Sequence, residues 1–248
     1  MNVRGERECT ACGTRWSYAE TGSVGCPACG SLKSVGTGER TATTDRPASF
    51  DLTSVRGAVD EAANDELADR ARQICREYVR NRGFVADGDL RPLDDTYLAA
   101  MELRHAADIV ARTSRLTEDE EMYFLSLLRD ADDGTRPDPE TVPPSFHEAR
   151  GLAVADAVRV YRRDLRVWVE ETDREPEPKL EAELENAQST LESLIDHETR
   201  LRMLEGDVEP AIAERLLETT RHLANGVQGD GAELEAAREG LESLAKTL

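Results

Sequence analysis

The sequence predicts a small β module closed by a metal ion, followed by an all-α domain, and three observations predict it. Two Cys-x2-Cys pairs, Cys9 with Cys12 and Cys26 with Cys29, are separated by thirteen residues. The charge balance changes near residue 46: the first 46 residues carry six basic and five acidic side chains, the rest 25 and 46. Beyond that point apolar residues recur at the three- and four-residue steps of amphipathic helices.

The cysteine module comes first. Glycine follows the second cysteine of each pair, as Gly13 and Gly30. There it allows the positive φ of a knuckle whose amides point at sulfur. Two such knuckles bring four thiolates into a tetrahedron, which suits one Zn²⁺ with no open position. A module of about 40 residues has little core of its own, so metal binding supplies its folding free energy. The expected fold is a small β zinc ribbon over 1–46 with Cys9, Cys12, Cys26 and Cys29 as ligands. Arg7, Arg15 and Lys33 are candidates to offset the thiolate charge.

Residues 36–59 are rich in Thr, Ser, Gly and Asp and show no helical period, and a linker is placed at 47–63. An all-α helical-bundle or helical-hairpin domain is expected over 64–248. Leu67, Ala71, Ile74 and Tyr78 mark its first helix, stopped by Gly83. Tyr97, Met101 and Ile109 mark a second over 94–112. Thr117 and Glu120 form a capping box opening a third through Met122, Leu125 and Leu128. Four prolines and four acids make 132–144 a loop. Ser145 and Glu148 read as a second capping box, opening a helix through Leu152, Ala155, Val158, Tyr161, Leu165 and Trp168. The prolines near 173–178 mark a sub-boundary. Leu180, Leu184, Ala187, Leu191, Leu194 and Leu201 then form a coiled-coil-like seam interrupted at Glu198. Pro210 suits a first turn before Ile212, Leu216 and Leu223, with Gly226 as stop. Leu234, Ala237, Leu241, Leu244 and Leu248 complete seven helices. The seam at 180–201 and the stripe at 234–248 read as internal packing, and they could also pair two copies as a homodimer.

Composition narrows the setting. The formal net charge is −20, with 28 arginines and three lysines. A very acidic, lysine-poor surface stays hydrated in concentrated salt, where screening removes its self-repulsion. A halophilic cytoplasm is therefore expected. No stretch has the ~20 apolar residues of a membrane helix, and the first residues contain no apolar signal segment. In a reducing cytoplasm paired cysteines favour metal over disulfide.

The stretches Cys-Thr-Ala-Cys-Gly and Cys-Pro-Ala-Cys-Gly-Ser, followed by Val35 in an expected strand, resemble the zinc ribbon of the transcription factor B (TFIIB) type. Val3-Arg4-Gly5-Glu6-Arg7, Trp16-Ser17-Tyr18 and Leu93-Asp94-Asp95-Thr96-Tyr97-Leu98 resemble a haloarchaeal family that joins such a ribbon to a helical C-terminal region. That resemblance implies ribbon plus helices and supplies no activity. The cysteines with Trp16 and Tyr18 also look like the rubredoxin-type iron site of rubrerythrins, where Fe–S₄ moves an electron. Those proteins add a di-iron bundle needing two Glu-x-x-His motifs, and only Glu102 with His105 is present here.

Other candidates are weaker. Cys75 lies on the apolar side of its helix, as an inert buried thiol. His105, His147, His197 and His222 sit alone on different helices. No Gly-rich phosphate loop, HExxH or GxSxG motif occurs, so no enzyme activity is expected. Arg72, Arg76 and Arg80 share one helix face, and Arg159, Arg162, Arg163 and Arg166 share another. Like charges four apart destabilise a helix by about 0.2–0.5 kcal/mol per pair. Residues 170–248 carry 21 acids against 8 bases and could neutralise both stripes. The second stripe is otherwise a partner-binding candidate. The resulting expectation is a non-catalytic zinc-binding protein whose ribbon docks on a protein partner, in a setting linked to transcription. A redox iron protein is the first alternative. The second is a ribbon that binds nucleic acid through Arg4, Arg7, Arg15, Lys33 and Arg40, which the overall charge opposes.

Overall fold

The computed structural model describes residues 2–172 and 178–247. It has three antiparallel strands at the N-terminus, followed by a mostly helical region. Strand β1 (Asn2–Cys9) lies between β2 (Arg15–Ser17) and β3 (Ser34–Ala42). Glu8 faces Arg15 on one side and Val35 on the other, and Cys9 faces Ser34. The register shifts between Arg4 and Glu6, and a Cβ at the intervening Gly5 would meet the Asp87 side chain at 2.5 Å. One turn of helix, α1 (Tyr18–Thr21), follows β2. The segment expected to be irregular over 36–59 instead contains most of β3 and the short α2 (Thr53–Arg56).

Five of the expected helices form over the expected stretches. They are α3 (Asn64–Asn81), α4 (Asp95–Arg112, capped by Asp94), α5 (Glu118–Asp130), α8 (Pro210–Gly226) and α9 (Gly231–Leu244), the last ending short of Leu248. The Thr117–Glu120 capping box is present. The two longest are α6 (His147–Thr172) and α7 (Pro178–Met203). Between α3 and α4 lies a two-stranded hairpin, β4 (Val85–Ala86) with β5 (Asp89–Leu90).

Three local expectations need correction. Ser145 does not cap α6: it sits in a 3-10 turn and its hydroxyl donates to Glu120 Oε1 at 2.5 Å. Glu148 instead pairs with Arg112. Met122 is exposed; of the expected stripe Leu128 is buried and Leu125 partly so, and α5 also buries Tyr123, Phe124 and Leu127. The third concerns Gly83, which does not stop α3. Arg82 is its C-cap, and Gly83 is small because a Cβ there would lie 2.5 Å from the Thr44 backbone. The expected loop over 132–144 is present and carries short 3-10 turns.

Helix α4 organises the helical region because it is apolar nearly all round. Leu103, Ala106 and Ala107 pack with Leu67, Ala71 and Cys75 of α3 and Phe124 and Leu127 of α5. Its Tyr97, Leu98 and Met101 join Val158, Tyr161 and Leu165 of α6 in a second core. Leu191, Leu194 and Leu201 of α7 enter that core, with Leu216 of α8 and Leu234, Ala237, Leu241 and Leu244 of α9. The seam is therefore internal packing where it is described. Leu180, Leu184, Ala187 and Leu248 have side chains outside the described residues, as does most of the sub-boundary near 173–178.

The ribbon is strapped to the helices by residues 42–46. The amides of Thr44 and Asp45 donate to Val85 O at 2.8 and 3.0 Å, and Arg46 N donates to Asn81 O. The Thr44 hydroxyl donates to Asp164 Oδ2 at 2.6 Å, and Asp164 is fully buried in α6. Asp45 accepts from Arg82 and Arg91, each at 2.7 Å, and from Gly83 N. A buried carboxylate is stable only when its lone pairs are filled, and these donors fill them.

Candidate metal centre

The two knuckles are built alike. In the first, Gly13 N donates to Cys9 O and Cys9 N to Thr14 O. In the second, Gly30 N donates to Cys26 O and Cys26 N to Ser31 O. Gly13 and Gly30 have φ of +76° and +70°, the left-handed backbone that a Cβ penalises. The knuckles are joined by Thr10 N and Oγ1, both donating to Lys33 O. Arg7 clamps the start of β3 through Ser34 Oγ and O, and Ser34 Oγ donates to Val24 O.

These contacts bring four sulfurs together. Cys9 and Cys29 lie 3.7 Å apart, Cys12 and Cys26 3.5 Å apart, and all four fall within 4.8 Å of one another. None is in a disulfide. Four Zn–S bonds of 2.3 Å in a tetrahedron imply sulfur separations of about 3.8 Å, against about 2.0 Å for a disulfide. The donor set therefore fits one tetrahedral, thiolate-preferring ion, and these four cysteines could hold it. Among the described residues, no other group of three or more Cys, His, Asp or Glu side chains converges in this way.

Cys9 and Cys26 are buried with Trp16, and these three form the apolar cluster among the described residues of the ribbon. The Trp16 indole donates to Ser23 O at 3.1 Å. Cys12 and Cys29 face solvent. The Cys12 thiol is lowered to about 6, first by the Thr14 hydroxyl and then by the Thr14 amide. Cys29 is pushed up to about 12: the Ser31 amide favours its thiolate, but the sulfurs of Cys12 and Cys26 outweigh that. Crowded thiols cannot all ionise without a cation among them. Arg15 is committed to Glu8 at 2.8 Å and Arg7 to Ser34, so neither sits on the sulfurs.

A family model matches residues 1–241. The chain belongs to DUF7117, a family of unknown function. No curated protein and no solved structure matches it. The matched span takes in the cysteine cage and the helices as far as most of α9, so the family unites both parts. No helix among the described residues is long and apolar enough to cross a membrane.

Glu102, His105 and His222 have specific partners. Glu102 is fully buried and accepts from the Tyr123 hydroxyl, with Arg150 at 3.0 Å and Arg136 at 3.3 Å. His105 turns elsewhere, to Asp156 at 3.2 Å. The Glu-x-x-His pair thus serves two separate ion-pair clusters. Sequence reasoning missed the first of these, whose only signal is an acid on the apolar face of α4. His222 lies 2.7 Å from Glu233. His197 is buried, and desolvation with the Arg200 charge lowers its pKa. Burial pushes the Cys75 thiol up, leaving it inert.

Each arginine of the α6 stripe has a carboxylate neighbour. Arg159 meets Asp156 at 3.2 Å, Arg162 meets Glu198 at 3.2 Å, Arg163 meets Asp164 at 3.4 Å and Arg166 meets Glu170 at 2.9 Å. Glu198 is therefore not a flaw in the α7 seam. It is a buried acid facing the α6 stripe; desolvation raises its pKa against the opposing charge of Arg162. The acids that face Arg72 are Asp69 and Asp108, both before residue 170.

Proposed function

We propose that this chain is a zinc-binding, non-catalytic interaction protein, with Cys9, Cys12, Cys26 and Cys29 as the ligands. The observation that carries the reading is the closed sulfur cage. Four thiolates occupy all positions of a tetrahedral ion and leave none for substrate or water, as in structural zinc sites. The metal supplies folding free energy to the ribbon and no chemistry. The ribbon is the docking element and the helices are its scaffold. Val24, Leu32 and Val35 at its metal end are exposed by 46%, 78% and 50%, which supports contact with a protein partner. The likeness of the knuckles to transcription factor B ribbons favours a setting in transcription. The acidic, lysine-poor composition favours a salt-rich cytoplasm.

The test is metal analysis of full-length protein purified without added metal. One zinc per chain, lost with Cys9→Ser, supports the reading. One iron per chain with visible thiolate-to-iron absorbance overturns it and substitutes electron transfer. The helical region lends that alternative no support, because Glu102 and His105 are held apart by different partners.

A further inference from the structure

We propose that the cleft between α3 and α4 binds a small phosphate monoester that also carries hydroxyl groups, such as a sugar or nucleoside phosphate. This site is remote from the cysteine cage and independent of what the ribbon does. Asp69, Arg72, Gln73 and Arg76 form its α3 wall, and Arg104 and Asp108 its α4 wall, around a cleft of about 850 Å³. In a chain of net charge −20 the cleft gathers three guanidiniums against two carboxylates.

The arginines are not equally committed. Arg72 is anchored by Asp69 at 2.6 Å and Asp108 at 2.9 Å. Arg104 is tied through one nitrogen, Nη2, to Asp156 at 2.9 Å. Arg76 forms no ion pair among the described residues, and the Gln73 amide makes no side-chain hydrogen bond among them. Arg76 stands one turn from both Arg72 and Arg80, an arrangement that destabilises a helix unless an anion offsets it. Gln73 and Arg76 are three apart, so they share a face. Their unused N–H donors, with the remaining ones of Arg104 opposite, suit a tetrahedral oxyanion, which guanidinium groups grip in a forked pair of bonds. Asp69 and Asp108 line the same cleft, and the lone pairs they do not give to Arg72 are acceptors for the hydroxyls of the same ligand.

Size favours a small molecule over a polyanion. The region beyond residue 46 has a net charge of −21, so a nucleic acid or an acidic protein would be repelled wherever it extended past the cleft. A ligand of one or two charges that fits inside avoids that repulsion.

The test is calorimetric titration of the full, metal-loaded chain at low ionic strength with inorganic phosphate, ribose 5-phosphate and a tetraglutamate peptide. Ribose 5-phosphate is expected to bind at one site, about tenfold more tightly than inorganic phosphate. Arg76→Ala is expected to weaken it about tenfold and Gln73→Ala by several-fold, while Arg80→Ala, one turn outside the cleft, leaves it unchanged. Absence of binding by ribose 5-phosphate overturns the proposal. So does an Arg80→Ala loss as large as that of Arg76→Ala, which would mean diffuse charge alone. Tetraglutamate binding as tightly as ribose 5-phosphate would assign the cleft to an acidic protein partner instead.

Discussion

Removing the metal should unfold the ribbon and leave the helices standing. Among the described residues the apolar cluster of the ribbon is Cys9, Trp16 and Cys26, and two of those three are proposed ligands. Without the ion the apolar contribution reduces to one tryptophan. At about 25 cal/mol per Å² over roughly 150–250 Å², that is worth about 4–6 kcal/mol. Ordering each residue costs about 1–2 kcal/mol of backbone entropy, so this contribution is consumed by a handful of positions. A structural thiolate site contributes about 10–16 kcal/mol at neutral pH, two to three times the tryptophan term, and it decides whether the ribbon folds. Among the described residues, the two helical cores contain none from the ribbon strands. The assay is chelator titration of a Trp168→Phe background, so that Trp16 alone reports by fluorescence, with helical circular dichroism read in parallel. Trp16 emission should shift to the red as metal leaves, while helical signal and its melting temperature hold. A metal-free protein whose Trp16 emission is unchanged would refute the argument. Joint collapse of the helices would refute the independence of the cores.

Three further outcomes test the helical region. Burial alone would raise the pKa of Asp156, but the hydrogen bond and charge of His105 and the charges of Arg104 and Arg159 hold it at about 2. Its folded pKa lies below its unfolded one, so its stabilisation is present above pH 4 and lost as pH falls towards 2. Asp156→Asn should therefore cost about 2 kcal/mol at pH 7 and flatten the stability profile between pH 4 and 2, measured by urea unfolding. Gly151→Ala should destabilise by about 3 kcal/mol or more in the same assay, because its Cβ would lie 2.1 Å from Gly206 O, a backbone atom that cannot swing aside. Arg150→Met should cost about 3–5 kcal/mol by leaving the buried Glu102 short of a partner. Adding Glu102→Leu should recover much of that loss, and a double-mutant cycle showing no coupling would contradict the cluster.

The sequence by itself carried whatever depends on short-range spacing. The knuckle cysteines and their glycines are set by local backbone geometry, so Cys9, Cys12, Cys26 and Cys29 were legible before any fold was known. The seven long helices were legible for the same reason, since an apolar stripe and a cap such as Thr117 with Glu120 lie within a turn or two of each other.

What the tertiary structure decided are the pairings between residues far apart in the chain. Ser145 had the spacing of a cap, yet a nearby acid on another helix, Glu120, claims its hydroxyl. Glu198 interrupted an apolar pattern, and only the packing of α7 on α6 reveals Arg162 opposite it. The strap of Thr44 and Asp45 looked like connecting chain until Asp164 and Arg82 came within hydrogen-bond reach. Burial makes a charge costly wherever it lies, and the partner that offsets that cost can come from anywhere in the chain. Periodicity records which face a residue occupies, and only the folded chain assigns the group that meets it.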